Sequence, residues 1–315
     1  MLRFRSTIFA VTVSLMLNAN AVAGKLAIVI DDFGYRPHQE NQVIAFPAPI
    51  SIAVLPNAPH ARDMANKAWG AGHEVLIHLP MAPLSKQPLE KDTLRPEMSS
   101  AEIERIIHDA VQKVPHATGL NNHMGSAMTS SLFGMQKVMQ ALKNYRLYFL
   151  DSVTIGNSQA TRAAAGTGVK VIKRKVFLDD NQNEAAVRQQ YDRAIALARR
   201  NGSAIAIGHP HPTTVRVLQQ ELRRLPSDIT LVRPSSLLNE PQHAAASTPG
   251  YADAAPPAHK PLSPTAQNLH ICKLRRRPAP VNADRFFSVL QESMAQSTLV
   301  KYLQLQWQGW NQPRS

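Results

Sequence analysis

Cysteine is nearly absent from this sequence, because Cys272 is the single cysteine among 315 residues. A disulfide needs two cysteines, so the chain cannot form one within itself. Residues 25–240 contain no thiol at all, which excludes a catalytic cysteine and a cysteine-based zinc site from that region. Any metal ion bound there would have to be held by histidine and carboxylate side chains.

Long apolar runs are also missing. The run from Ile8 to Leu17 is too short to cross a bilayer as a permanent anchor. It follows the basic residues Arg3 and Arg5 and precedes Ala21-Val22-Ala23, a small-x-small pattern typical of a signal-peptidase site. We therefore interpret residues 1–23 as a cleaved signal peptide, with a retained anchor as the alternative. This interpretation predicts a periplasmic protein without a stable membrane span.

Aromatic residues are sparse, at 6% of the chain, although the net charge is +13. The densest basic run, Arg275-Arg276-Arg277, lies in the C-terminal tail. A nucleic-acid-binding surface combines a basic face with interleaved aromatic residues, and an exported protein rarely meets nucleic acid. We therefore expect no nucleic-acid partner. A solvated basic surface is the simplest interpretation of the charge, and attraction to anionic envelope polymers is the alternative.

Residues 25–240 alternate short apolar runs, typical of buried strands, with amphipathic segments typical of helices. This alternation predicts an α/β fold with a parallel sheet, open or closed, and an irregular (β/α) barrel fits it best. The predicted strands are 26–30, 50–55, 74–78, 117–120, 147–150, 169–172, 203–207 and 229–232. The predicted helices are 60–70, one that begins after the capping box Ser99–Glu102, 131–144, 182–200 and 213–225.

The composition changes after residue 240. Residues 243–268 are rich in Ala, Pro, Ser and Thr without periodicity, which is typical of a linker. Residues 281–305 recover some amphipathicity, which is compatible with a short terminal helix. We therefore predict a single domain over residues 25–240 and a non-globular, basic C-terminal tail over residues 241–315.

Acidic residues and histidines follow many of the predicted strands. In parallel α/β folds the carboxyl ends of strands meet at one edge, where functional side chains gather. Five of the eight predicted strands end in Asp or His, which is more than chance placement would supply. The residues concerned are Asp31, Asp32, His78, His123, Asp151, His209 and His211.

Asp31 and Asp32 are the strongest candidates among them. Two adjacent carboxylates at the end of an apolar strand repel each other and are costly to desolvate unless a cation is present. One of them can then bind the metal ion while the other acts as a base. Asp179 and Asp180 form a second pair, but they precede a predicted helix, where N-capping explains them. Four histidines away from the strand ends are predicted to lie on the surface: His38, His60, His108 and His116.

Five short motifs, in this order and spacing, resemble the divergent polysaccharide deacetylase family, a distant branch of the NodB-type deacetylases. The resemblance covers residues 25–240 and implies a barrel of the glycoside hydrolase/deacetylase type. The motifs are Ile30-Asp31-Asp32-Phe33-Gly34, His78-Leu79-Pro80-Met81, Asn122-His123-Met124-Gly125-Ser126, Asp151-Ser152 and Gly208-His209-Pro210.

The resemblance implies a role for each matching residue. Asp31 matches the general base, and Asp32 matches a metal ligand. The stretch from Gly72 to His78 matches the family's Gly-His-Glu-x-x-x-His motif, which implies that His78 is the first metal-binding histidine. The usual pattern has a second histidine four residues further on, where this chain has Ala82. We predict that His123, which follows the next strand, replaces it as the third ligand.

The last motif supplies the proposed acid. Ile207-Gly208-His209 matches the family's Leu-x-His motif, which implies that His209 is the general acid. Asp151 is predicted either to orient a catalytic histidine or to reach the metal ion. His211 is interpreted as a bystander.

Together these matches imply a metal-dependent hydrolase that removes an N- or O-acetyl group from an envelope polysaccharide or a peptidoglycan-like substrate. The implied cofactor is a divalent metal ion, with Zn²⁺ favoured. Because a fold does not fix a function, a non-catalytic envelope carbohydrate-binding or scaffolding protein on the same fold is the leading alternative. Metal-dependent hydrolysis of a phosphoester or a peptide amide is a second one.

Overall fold

The computed structural model describes residues 23–240, which form an irregular, incompletely closed (β/α) barrel. The strands are β1 (Gly24–Phe33), β2 (Ser51–Val54), β3 (Glu74–Met81), β4 (Ala117–Met124), β5 (Tyr148–Asp151), β6 (Val171–Lys173), β7 (Val176–Phe177), β8 (Ser203–Gly208) and β9 (Ile229–Leu231). The helices are α1 (Pro37–Ile44), α2 (Ala61–Gly70), α3 (Ser100–Lys113), α4 (Ser126–Ser130), α5 (Leu132–Leu142), α6 (Ala160–Ala163), α7 (Glu184–Asn201) and α8 (Pro212–Glu221). Two 3₁₀ turns cover Leu222–Arg224 and Pro234–Leu237.

The strands pair in the order β6-β5-β4-β3-β2-β1-β8-β7, and the pairings are parallel. Strand β9 pairs with β1 at Gly24–Leu26, whereas β2 pairs with β1 from Val29 onward. The two edge strands, β6 and β7, follow each other directly in the chain. Within residues 23–240 no hydrogen-bonded ladder joins them, so the barrel has an open seam at this point.

Side chains of the strands alternate between the barrel interior and the layer under the helices, as the pleat of a strand requires. On β1, Ala27 and Val29 face the interior, whereas Leu26, Ile28 and Ile30 pack in the outer layer. The same alternation on the other strands yields a small inner cluster, which Leu237 joins from the second 3₁₀ turn. Its other members are Ala53, Leu76, Tyr148, Leu150, Ile172, Ile205 and Ile207.

The predicted irregular (β/α) barrel is confirmed, and all eight predicted strands are present. Three of them, β1, β3 and β4, continue three or four residues beyond the predicted end, because polar residues or Pro80 interrupt the apolar pattern there. Strand β7 and helices α1, α4 and α6 were not predicted. Strand β7 has two residues, too few for a periodic signal.

The capping box of α3 is also confirmed, since the Ser99 side chain accepts from the Glu102 N–H and the Glu102 side chain accepts from the Ser99 N–H. The predicted signal peptide (apart from Ala23) and the predicted linker and tail lie outside the described residues. Within the described part of the chain, no helix combines the length and apolar character needed to cross a membrane.

Candidate metal centre and acid–base pair

The end of β1 brings two adjacent carboxylates to one site. Asp31 occupies an interior-facing position and is 2% exposed. Strict alternation would turn Asp32 to the outer layer, but its φ is 61° and the β1–β2 register shifts between Ile30 and Phe33. Asp tolerates this left-handed conformation better than most residues. The irregularity therefore allows both carboxylates to face the same histidine, His78.

The chain that follows Asp32 is held by a buried carboxylate on α1. One oxygen of Glu40, Oε1, accepts hydrogen bonds from the backbone N–H groups of Gly34, Tyr35 and Arg36. Gly34 has a φ of 115°, and a Cβ there would lie 2.5 Å from the Cβ of Ala58. Glycine is therefore required at this turn, which fixes the position of the aspartates.

Three potential ligand atoms converge beside these carboxylates. Asp32 Oδ1 lies 3.2 Å from His78 Nε2 and 3.1 Å from His123 Nδ1, and the two nitrogens are 3.2 Å apart. Asp32 Oδ1 is buried and has no hydrogen bond of acceptable geometry. Atoms bound to one tetrahedral ion at about 2.0–2.1 Å lie about 3.3–3.4 Å apart. The donor set and its spacing therefore fit a divalent cation.

Asn121 connects the potential ligands to Asp31. Its Nδ2 donates to Asp31 Oδ1 at 2.9 Å, so its Oδ1 accepts from His78 Nδ1 at 2.8 Å. This bond fixes the ring orientation and leaves His78 Nε2 with its lone pair toward the site. Asn121 was not predicted as a functional residue. The sequence feature that could have identified it is its position two residues before His123, since residues two apart on a strand lie on the same face.

The pairing of β3 with β4 explains how His123 can stand in for the histidine missing at position 82. His78 is aligned with Asn121, and Pro80 is aligned with His123. His123 therefore lies one strand to the side and one interior position beyond His78. The structure brings the three predicted ligands together, and Ala82 is buried just beyond the end of β3.

The two aspartates differ in their ionisation. Burial raises the pKa of Asp31, and this effect exceeds the opposing influence of the neighbouring His78 and His209. Burial alone would also raise the pKa of Asp32, but the adjacent imidazoles of His123 and His78 hold it well below its usual range. Asp32 is thus suited to remain an anion, and Asp31 is suited to accept a proton.

His209 faces this site from the end of β8, where a buried aspartate holds it. Its Nδ1 lies 2.9 Å from Asp179 Oδ1, and Asp179 Oδ2 accepts from the His209 N–H and from Thr214 Oγ1. Burial lowers the pKa of His209, but the bond to Asp179 and the nearby charges raise it to about 9. The other ring nitrogen, Nε2, is 3.9 Å from Asp32 Oδ2.

The interpretation of Asp179 as a helix cap was wrong. Helix α7 begins at Glu184, and its N-cap is Asn183, whose side chain accepts from the Ala185 N–H. Asp179 is instead 3% exposed and occupies an interior-facing position two residues after Phe177. Continuing the alternation of β7 to residue 179 would have identified Asp179 as interior-facing. Because β7 was not predicted, this inference could not be made.

The predicted roles of Asp151 are also corrected. The carboxylate that bonds to His209 is Asp179, and the described side-chain groups that could share a metal ion do not include Asp151. Asp151 follows the outer-facing Phe149 by two residues, and its Oδ1 accepts from the Val153 N–H. The next residue, Ser152, takes the interior position, with its Oγ 3.4 Å from Asn121 Nδ2.

The remaining histidines of residues 23–240 are not part of the group formed by Asp32, His78 and His123. His38, His60, His108 and His116 are exposed, as predicted, and His116 stacks on Trp69 at 4.1 Å between ring centroids. His211 could join Asp179 and His209 in a second metal-binding group. Its Nε2 lies 3.2 Å from Gln182 Nε2, and burial lowers its pKa. Because Asp179 is already bonded to His209, we retain the interpretation of His211 as a bystander.

Two relatives show how far the sequence is shared. The chain is 67% identical over 310 residues to the uncharacterized protein YibQ of Escherichia coli K12, covering 98% of this chain and 96% of that protein. It is 47% identical over 208 residues to an uncharacterized protein of Haemophilus influenzae, covering 66% of this chain and 74% of the relative.

The fold has a solved counterpart in an uncharacterized protein from Agrobacterium tumefaciens C58. That crystal structure has a TM-score of 0.66 and 22% sequence identity, and the match covers 70% of this chain and 91% of the other. The sequence profile described as divergent polysaccharide deacetylase matches residues 28–238, which include every residue of the site. The chain therefore belongs to the divergent polysaccharide deacetylase family.

Proposed function

We propose that this protein is a metal-dependent hydrolase that removes acetyl groups from an envelope polysaccharide. The observation that carries the proposal is the convergence of Asp32 Oδ1, His78 Nε2 and His123 Nδ1 within 3.1–3.2 Å of one another. Buried Asp31 and the His209 imidazole, which bonds to Asp179, lie beside them. One carboxylate and two imidazoles form a donor set that favours Zn²⁺, although other divalent ions accept it. When bound there, the ion lowers the pKa of water and polarises an acyl carbonyl.

The base in this proposal is Asp31. It is buried, its Oδ1 is held by Asn121, and its other oxygen lies 3.6 Å from His78 Nε2. A carboxylate whose pKa is raised by burial removes a proton from water more effectively at neutral pH than an ordinary aspartate. Asp31 therefore accepts the proton of the attacking water.

The acid in this proposal is His209. Asp179 holds its Nδ1, so Nε2 is the nitrogen that can deliver a proton toward the site. The charge of Asp179 favours the imidazolium, which is the form an acid must have before the reaction. His209 thus protonates the amine or alcohol that leaves when the acetyl bond breaks.

The proposal is tested by acetate release from acetylated peptidoglycan and other acetylated envelope glycans, measured together with elemental analysis of the purified protein. We expect Asp31→Asn to keep its metal ion and to lose about a thousandfold in turnover. Asp32→Ala should lose the metal ion and turnover together. Asp192→Asn is the matched control, because it makes the same chemical change at an exposed position on α7.

Full turnover by Asp31→Asn would show that the base is assigned wrongly. Glycan binding without acetate release or bound metal by the wild-type protein would favour the non-catalytic carbohydrate-binding alternative. Release of phosphate or amine from non-acetyl substrates only would favour the other hydrolase alternative.

We further propose that the protein acts in the periplasm after cleavage at residue 23. Support comes from β1, which begins at Gly24, directly after the proposed site. N-terminal sequencing of protein recovered from a periplasmic extract should begin at Gly24. Recovery of an intact N-terminus from the membrane fraction would instead indicate a retained anchor.

A further inference from the structure

A cavity of about 600 Å³ opens beside the acid–base pair at the seam of the barrel. Its walls come from the segment after β5, from the turn between β6 and β7, and from one face of α7, where Ala186, Gln190 and Arg193 are spaced four and three residues apart. The cavity therefore lies at the open seam, where β6 and β7 do not pair with each other.

Two residues that line the cavity contact residues of the candidate site. Phe177 lines it and packs edge-on against His209, with ring centroids 5.3 Å apart. Ser152 also lines it, and its Oγ is 3.4 Å from the Asn121 Nδ2 that donates to Asp31. A group bound in the cavity could therefore belong to the same substrate molecule as an atom held between Asp31 and His209.

The charge that lines the cavity is mainly positive. Arg174, Lys175 and Arg193 contribute cations, and Asp180 contributes one carboxylate. Arg174 is fixed, because its Nε donates to the Ser152 carbonyl, its Nη2 donates to the Val153 carbonyl, and its guanidinium lies 5.0 Å from the Phe177 ring centroid.

The surroundings of Arg174 include charges of both signs. Burial lowers its pKa and the nearby Arg193 lowers it further, whereas Asp151, Asp31 and Asp180 oppose this. Two guanidinium groups that approach each other repel, and an anion between them relieves that repulsion. Guanidinium groups also match the geometry of carboxylate and phosphate oxygens.

We propose that this seam cavity binds an anionic substituent, a carboxylate or a phosphate, carried by the glycan whose acetyl group lies at the metal centre. The proposal rests on the proposed function and narrows its substrate class from envelope polysaccharides in general to acidic ones. Arg174 and Arg193 are the residues that recognise the charge.

The test compares three disaccharides of similar size by calorimetry on the full-length Asp31→Asn protein loaded with metal. The first, N,N′-diacetylchitobiose, is neutral; the second, N-acetylglucosaminyl-N-acetylmuramic acid, carries a carboxylate; and the third is a phosphorylated N,N′-diacetylchitobiose. We expect at least one acidic disaccharide to bind about tenfold more tightly than the neutral one at low salt. The preference should shrink at high salt, because the cavity is open to screening ions.

The variant Arg193→Gln should reduce the ratio of acidic to neutral affinity by about threefold, since Arg193 is exposed and its contribution is screened. Arg200→Gln is the matched control, because it removes the same charge from an exposed position on α7 that does not line the cavity. The carboxylate and phosphate arms distinguish the two sources of negative charge.

Equal affinity for all three disaccharides, no binding of any of them, or an equal loss in Arg193→Gln and Arg200→Gln would overturn the proposal. Its failure can be separated from failure of the proposed function by measuring acetate release from the wild-type protein. Acetate release without a preference for charge refutes the acidic subsite alone. A preference for charge without acetate release refutes the deacetylase proposal alone.

Discussion

Two buried histidines are associated with β3: His73 directly precedes the strand, at its amino end, and His78 lies in its carboxyl-terminal half. Their environments differ. At the amino end, both ring nitrogens of His73 contact backbone carbonyl oxygens, those of Ile50 and Ile44. Glu74 beside it accepts hydrogen bonds on both oxygens, and its three donors are Ser51 Oγ, Thr118 Oγ1 and Ser235 N–H. At the carboxyl end, His78 Nε2 faces two carboxylates and a second imidazole, and buried Asp32 Oδ1 has no hydrogen bond.

Burial of a charged or polar side chain does not by itself indicate function. At the amino end both oxygens of Glu74 accept hydrogen bonds, which connect β3 to β2, to β4 and to the second 3₁₀ turn. At the carboxyl end, buried Asp32 Oδ1 has no hydrogen-bond partner among the described residues. The pKa values of Asp31, Asp32 and His209 are also shifted there, as pKa values commonly are in functional sites. An oxygen in the position of Asp32 Oδ1 fits a cation ligand.

The largest difference is expected between replacement of His78, within β3, and replacement of His73, directly before it. His78→Ala should lose the metal ion and about a thousandfold or more in turnover, because it removes a potential ligand. His73→Ala should retain metal and turnover per folded molecule but lose about 2–3 kcal/mol in the free energy of unfolding. Elemental analysis, acetate release and urea denaturation measure these effects. Loss of metal from His73→Ala would contradict the assignment of metal binding to the carboxyl end and of a structural role to the amino end.

The next effect concerns the carboxylate that holds His209. Asp179→Asn should lower turnover about 10- to 100-fold, as replacement of residues that orient a functional group often does. It should also lower the pKa of His209 from about 9. His209 must be protonated to act as the acid, so activity is lost as the pH rises through its pKa. The alkaline side of the kcat profile should therefore move to lower pH.

An unchanged pH profile in Asp179→Asn would contradict the assignment of His209 as the acid. A merely structural role of Asp179 would lower the fraction of folded protein without moving the profile. Measuring kcat and KM separately across pH distinguishes these cases, since the loss is expected in kcat.

A smaller effect is expected at the amino end of the barrel. Glu74→Gln replaces an acceptor oxygen by an amino group that would meet donors, so the free energy of unfolding should fall by about 2 kcal/mol. The metal content should remain unchanged. Chemical denaturation with and without a chelator measures both effects, and a loss of metal affinity in this variant would connect the two ends of β3.

The smallest effect is expected far from both ends. Ser99→Ala removes the N-cap of α3 and should cost about 1 kcal/mol of stability, without change in metal content or pH profile. Its loss in the free energy of unfolding is the reference against which the loss in Glu74→Gln is compared. A change in turnover per folded molecule would show that stability and activity are coupled throughout the barrel.

The strand ends show why part of the site could be predicted. Asp31, His78, His123 and His209 stand at the ends of apolar runs, and the topology of a parallel barrel brings such positions together. Asn121 and Asp179 were missed because the residue type gave no signal in either case: Asn121 is a neutral amide, and Asp179 was interpreted as the cap of a predicted helix. Both occupy positions that alternation places in the interior, which could be recognised only once β4 and β7 had their full extents.

The α/β class, the succession of strands along the chain and the type of side chain at each strand end follow from local apolar periodicity and composition. Which of these side chains meet depends on the folded barrel. The left-handed φ of Asp32, the alignment of Pro80 with His123 and the bond between Asp179 and His209 each depend on contacts between segments distant in the chain. Such contacts are set by the packing and register of the whole barrel, which no local pattern encodes.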